Sequence, residues 1–284
     1  MGVNQGPEGN EDVVYDDLGV LDGPILVFGG PYSNLQATMA LFERATSLGI
    51  PASNLICTGD VVAYCADPVE TVAATRDSGC AVVAGNCEKQ LAANALDCGC
   101  GFDEGTTCDL LSAGWYGLAN AAVGAQDRAW MAQCPDIVTF RHQGARYAVI
   151  HGGVRDVARF IWSSSPESVL TAEWCALEDI VGPVDHIFAG HSGIPFERKT
   201  SRGRWINAGV IGMPPHDGAE QTRYAVLDGG EVLFHRLEYV VDGAVAAMQA
   251  AGLVQGYDTG LRRGYWPSED VLPEELRVPS LASG

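Results

Sequence analysis

The chain has 284 residues, 47% of them hydrophobic and 19% charged, which is ample for a packed core and excludes disorder over most of its length. A formal net charge of -19 excludes nucleic acid and anionic membranes as partners, because a polyanion is repelled at long range. A small phosphorylated molecule remains open wherever a bound metal makes the local potential positive.

Residues 1–22, beginning "MGVNQGPEGNEDVVYDD", read as a flexible acidic tail without the features of a secretory leader. No apolar run approaches the ~18 residues of a membrane span, so a cytoplasmic location is expected. The nine cysteines are odd in number, in a chain too long to need staples, and read as mostly reduced. From "PILVFGG" onward, short β-branched runs alternate with helical patterns: a helix over 34–48, then "NLICTGD", a helix over 68–77, then "CAVVAGN". That alternation predicts parallel strands joined by crossover helices. Residues 91–134 read as a helical, cysteine-bearing insert. After it, "DIVTFRHQGARYAVIHGG" predicts a hairpin about Gly144, and Asp228-Gly229-Gly230 predicts a second hairpin turn. A helix over 242–252 closes a single domain spanning 23–252, and 253–284 form a Pro-rich C-terminal extension. The expected architecture is an α/β (α+β) four-layer sandwich, two mixed sheets flanked by helices.

Four strands end on polar groups that apolar packing does not require: Asp60, Asn86, His151 and His191. Gly59, Gly85 and Gly190 immediately precede three of them, letting the backbone turn and present the next side chain at the rim of the sheet. A lone strand-end Asp is ordinarily a helix cap, and a lone His a satisfied core residue. One carboxylate, one amide oxygen and two imidazoles in the same relative position instead suggest an N/O site for a divalent transition metal.

The motifs "GDVVAYCADPVE", "GNCE", "VIHGG" and "GHSGIPF…WINAGVIGMP" resemble those of the calcineurin-like metallophosphoesterases, most closely their small bacterial phosphodiesterase and diadenosine-tetraphosphatase-like branch. The resemblance runs from about residue 25 to about residue 250. It implies the four-layer fold and a pair of metals at the strand ends, with Asp60 as the bridging ligand and Asn86, His151 and His191 completing one of the two sites. Asp60, Cys87 and His151 are then the implied catalytic group. The family's first motif, Ser-Asp-x-His-Gly-Asn, is here Gly29-Gly30-Pro31-Tyr32-Ser33-Asn34, and the second His of the last motif is replaced by Gly193. All three losses fall on one metal. About one metal per chain (Mn, Fe or Zn) is therefore expected, with a second held weakly if at all.

Other candidates have two readings each. Cys87 stands where many family members carry a leaving-group acid, and is equally well a buried thiol. Cys65 and Glu88 offer partial substitutes for the lost ligands. Cys98, Cys100 and Cys108 read as buried thiols in a Gly-rich loop rather than as a zinc site. Arg155 and Arg159 suit a phosphate clamp or a plain charged surface. Ser33 and Asn34 open a helix, as an anion site or as a cap. His216 is a candidate for the cleft lining. The expected function is hydrolysis of a phosphomonoester or phosphodiester, or non-catalytic binding of a phosphorylated ligand on the same fold. Oligomeric state is not legible.

Overall fold

The computed structural model describes residues 4–5 and 13–278. Its chain order is β1 (Asn4–Gln5), β2 (Val14–Val20), β3 (Ile25–Phe28), α1 (Leu35–Ser47), β4 (Leu55–Cys57), α2 (Pro68–Ser78), β5 (Ala81–Val82), α3 (Asn86–Ala92), α4 (Thr107–Ala122) and α5 (Ala125–Met131). Then follow β6 (Ile137–His142), β7 (Ala145–Ile150), α6 (Glu167–Val181), β8 (His186–Ala189), β9 (Phe196–Lys199), β10 (Arg204–Asn207), β11 (Thr222–Asp228), β12 (Glu231–Leu237), α7 (Val241–Ala250) and α8 (Tyr257–Arg263).

The strands form two mixed sheets, ordered β1-β2-β6-β7-β8-β10-β9 and β12-β11-β3-β4-β5. Period-two alternation decides what each face covers. In β3, Ile25 and Val27 point between the sheets, where they meet Val138, Phe140, Val149, Phe188 and Ile206 of the larger sheet. Leu26 and Phe28 point outward, into a core closed by residues of α1, α2, α4, α7 and α8. Ile137, Ala148, Ile150 and Trp205 face outward from the larger sheet onto Leu170, Trp174 and Leu177 of α6. Four layers result, as the sequence implies. Both expected hairpins form: β6 pairs with β7 around Gln143-Gly144, and β11 with β12 around Gly229-Gly230. Positive φ at both Gly229 and Gly230 (56° and 85°) fits the turn that strand twist favours.

Two boundaries move. The reading of residues 1–22 as a tail is corrected for 14–20, which form β2 and run parallel to β6 in the register Tyr15↔Ile137. Asp16 and Asp17 disguise this strand, and its pairing overrides their poor β-propensity. Residues 1–3 and 6–12 of that tail lie outside the described residues, as do 279–284 of the C-terminal extension. The described part of the extension packs on the domain: Tyr257 and Leu261 are buried in the helix-side core. Among the described residues no helix is long and apolar enough to cross a membrane.

Candidate metal centre

The carboxyl ends of the parallel strands β3, β4 and β5 in one sheet, and β7 and β8 in the other, open on a common rim. Asp60 follows β4, Asn86 begins α3 just after β5, His151 follows β7 and His191 follows β8. The sharp exits have a steric basis. Gly59 has φ 96°, and a Cβ there would come within 2.9 Å of His151 Nδ1. A Cβ on Gly85 would collide with Asp60 Oδ1. The first glycine thus provides a turn, the second a close approach. Among the described residues eight non-glycine residues have positive φ, and four of them (Tyr32, Asp60, Tyr64 and His191) are candidate ligands or line the cavity beside them. Backbone strain is concentrated where the side chains must converge.

His151 Nε2 lies 3.1 Å from Asn86 Oδ1, 3.0 Å from His191 Nδ1 and 3.3 Å from Asp60 Oδ2. On its other edge, His151 Nδ1 is 2.6 Å from the Thr58 carbonyl, which can only accept, so Nδ1 carries a proton. Asn86 Nδ2 donates to the Cys98 carbonyl at 2.9 Å, which turns Oδ1 toward the imidazoles. Four electron-pair atoms therefore face one point, all from buried side chains. They repel one another unless a cation or a proton lies among them. Burial opposes a charged His151, but the Asp60 carboxylate outweighs it and raises its pKa above the usual value. His191 is pushed down to about 3 by burial and by the neighbouring His151. Asp60 is held below the usual carboxylate range: burial opposes this, and His151 overcomes it. The two-nitrogen, two-oxygen donor set fits a divalent transition metal. Among the described His, Cys, Asp and Glu residues, Asp60, His151 and His191 form the one group of three whose ligand atoms lie within 4.8 Å of one another.

Aromatic rings stand beside two of the positions where the resemblance implies further ligands, tightly at Gly30 and in ordinary van der Waals contact at Gly193. A Cβ on Gly30 would lie 2.5 Å from the Tyr32 ring, and one on Gly193 3.4 Å from Trp266. Cys65 and Glu88 do not replace the missing ligands. The Cys65 thiol is directed at the Gly212 carbonyl, 3.8 Å away. Glu88 accepts from the backbone N–H groups of Asp60 (2.7 Å), Val61 (2.8 Å) and Gly85 (2.8 Å), tying the Asp60 loop to α3. Burial, then Asp60, pushes its carboxyl up to about 7.

The remaining candidates separate. Cys87 is fully buried in the helix-side core, and burial raises its thiol pKa further, which suits packing better than proton transfer. Asn34 caps α1 through Ala37 N–H (3.0 Å) and donates to the Gly212 carbonyl, so both ends of its amide are engaged. Arg159 is bonded to Glu173 at 2.7 Å, whose other oxygen takes the Val154 N–H, bracing the loop after His151. Arg155 is exposed on the rim of a second cavity that reaches His151. Cys98 and Cys100 form a disulfide, so two of the nine cysteines depart from the reduced reading. Cys108 is a free, buried thiol. His216 accepts the Trp266 N–H at Nδ1 (2.9 Å) and pairs with Glu269 through Nε2 (2.8 Å), anchoring the C-terminal extension.

Sequence reasoning passed over three supporting groups: Thr58, Asn207 and Trp266. Asn207 donates to the Gly190 carbonyl and to Ser192 Oγ, both at 2.8 Å, fixing the His191 turn. Its place in "WINAG", at the end of a buried strand, was the available signal.

A family model for the calcineurin-like phosphoesterase superfamily domain matches residues 31–231. An uncharacterized protein of Methanocaldococcus jannaschii is 26% identical over 239 residues, 78% of this chain and 89% of that one. A metallophosphoesterase from Sphaerobacter thermophilus superposes with TM-score 0.65 at 21% identity, covering 86% of this chain and 100% of that one. A hypothetical protein from Pyrococcus horikoshii gives TM-score 0.68 at 17% identity, covering 85% and 98%. At these identities the structural likeness speaks for the fold.

Proposed function

The chain belongs to the calcineurin-like phosphoesterase superfamily, and we propose that it is a hydrolase of phosphomonoesters or phosphodiesters working with one resident divalent metal. One observation carries this reading: three buried electron-pair atoms, from Asn86, His191 and Asp60, converge on a fourth, His151 Nε2. Asp60, Asn86, His151 and His191 would hold the ion. Such an ion supplies Lewis-acid stabilisation to a phosphoryl group as charge builds on it. The chain's own groups supply the rest. Thr58 and Cys98 orient the His151 ring and the Asn86 amide, Glu88 fixes the Asp60 backbone, and Arg155 adds positive charge at the rim of the neighbouring cavity.

The test is elemental analysis joined to turnover of bis(4-nitrophenyl) phosphate. About one retained manganese, iron or zinc, with slow turnover abolished by chelation, is expected. Two retained equivalents would sink the one-metal reading. A non-catalytic phospholigand-binding role is the second reading, favoured by the Tyr32 ring packed against Gly30, where the family pattern has an acidic ligand. It would be upheld by metal-dependent phosphate binding without turnover of any ester tried.

A further inference from the structure

Beside His191 lies a narrow cavity that metal binding does not explain. Its walls include Tyr32, Tyr64, Phe160, His191, Tyr257 and Trp266. Among the described residues that line it there is no Lys, Arg, Asp or Glu. The rings brace one another: Tyr32 meets Tyr64 edge to face at 4.8 Å, Tyr64 lies 4.6 Å from Tyr257, and Phe160 lies 4.4 Å from the His191 ring. Trp266 is fixed at two points, its indole N–H donating to the Pro214 carbonyl (2.8 Å) and its backbone N–H to His216. The rings frame a small aromatic-walled cleft, with about 40 Å³ of enclosed room, that opens on a metal ligand, so a ring enters by its edge or as the walls part.

We propose that this cavity is a subsite for a planar, uncharged ring esterified to the phosphoryl group, so that the substrates are aryl or heteroaryl phosphoesters rather than alkyl ones. The inference rests on the phosphoester reading of the metal centre. His191 belongs to both sites, so an ester whose phosphoryl group sits at the metal has its organic part beside these rings. The absence of charged walls selects an uncharged occupant. Ring faces and edges favour a second ring through complementary quadrupoles. Ring faces also attract cations, but a cation here would lie next to a divalent ion held by His191, and that repulsion disfavours it. Tyr32 then has a role beyond filling: it provides part of the ring surface where the two-metal pattern has a ligand.

The experiment measures binding, by calorimetry, of four phosphonates to manganese-loaded protein: methyl, phenyl, cyclohexyl and 2-(trimethylammonio)ethyl. Phenylphosphonate should bind about tenfold more tightly than methylphosphonate, as ring stacking on aromatic side chains would give, and should quench Trp266 fluorescence. Trp266→Leu should remove most of that preference while leaving methylphosphonate affinity unchanged. Phe160→Leu serves as a second variant should the first fail to fold. Equal binding of phenyl and methyl, or tighter binding of the cyclohexyl or ammonium compound, would overturn the subsite and leave the metal reading standing. Binding of none of the four at millimolar concentration would overturn both.

Discussion

The ring of Tyr32 stands where a side chain on Gly30 would go, a Cβ there falling 2.5 Å from Tyr32 Cζ. The two positions exclude each other, so a side chain at 30 and the present placement of the Tyr32 ring cannot coexist. Gly30→Asp alone should destabilise the protein by about 1–3 kcal/mol through overpacking. Combined with Tyr32→His, that cost should shrink, giving a coupling of about 0.5–3 kcal/mol in a double-mutant cycle. Strict additivity in chemical denaturation would show that the contact is not the constraint. Adding Gly193→His to the pair completes the ligand pattern that the resemblance implies and sets a larger side chain against Trp266, so gain of a second metal should accompany altered Trp266 packing.

The direct ligands and the groups behind them should differ in the size of their effect. Asn86→Ala and His191→Ala each remove a donor atom and should abolish tight metal binding. The Cys98–Cys100 loop acts through Asn86, whose Nδ2 donates to the Cys98 carbonyl and lies 3.4 Å from Cys100 Sγ. Joint Cys98→Ser and Cys100→Ser should weaken metal binding by about tenfold, the usual cost of loosening a group that orients a ligand. Cys175→Ser, on an exposed free thiol, should change nothing. Competition with a chelating dye measures all of these. An unchanged affinity for the double serine variant would separate the disulfide loop from the centre.

What was legible in the sequence follows from physics. Asp60, Asn86, His151 and His191 stood out because each ends an apolar run, and a polar residue there has no packing reason. Strand β2 was hidden because Asp16 and Asp17 imitate a solvated tail; only its pairing with β6 makes it a strand. The place of Trp266 against Gly193 was illegible because the contact joins segments far apart in sequence that only the fold brings together. Glu88 did leave a signal: an acid three residues past Gly85 is the spacing of a helix-capping box, and its carboxylate does reach back to Gly85 N–H.

Glu88→Gln tests that clamp. The carboxylate accepts three backbone N–H bonds, and an amide can present only one oxygen to them. At least one buried N–H should lose its partner, at a cost of about 1–3 kcal/mol. Metal affinity should fall as well, since the Asp60 backbone is released. Urea denaturation of the metal-free protein isolates the first effect; a variant as stable as wild type would mean that the clamp carries no energy.

Metal-free protein should lose stability as pH rises from about 5 to about 8. Two folded-state shifts set the sign. His151 is raised above its usual value, burial being outweighed by Asp60, so its contribution is full below about pH 6.5 and vanishes as pH passes its folded value. Glu88, pushed up to about 7 by burial, binds protons more tightly in the folded chain than in the unfolded one and acts in the same direction. Asp60, lowered by His151 despite burial, is already ionised throughout this window, and its opposing contribution lies at lower pH. His191, held near 3, stays neutral. A metal ion takes the place of the His151 proton and favours the ionised Glu88, so manganese should stabilise more at pH 8 than at pH 5.5. Saturation at about 100 times Kd adds about 2.7 kcal/mol. Thermal melts with and without manganese across this range, repeated on His151→Ala, give the check. A metal-free protein that grows more stable toward pH 8, or a His151→Ala variant keeping the full manganese response, would remove His151 from the centre.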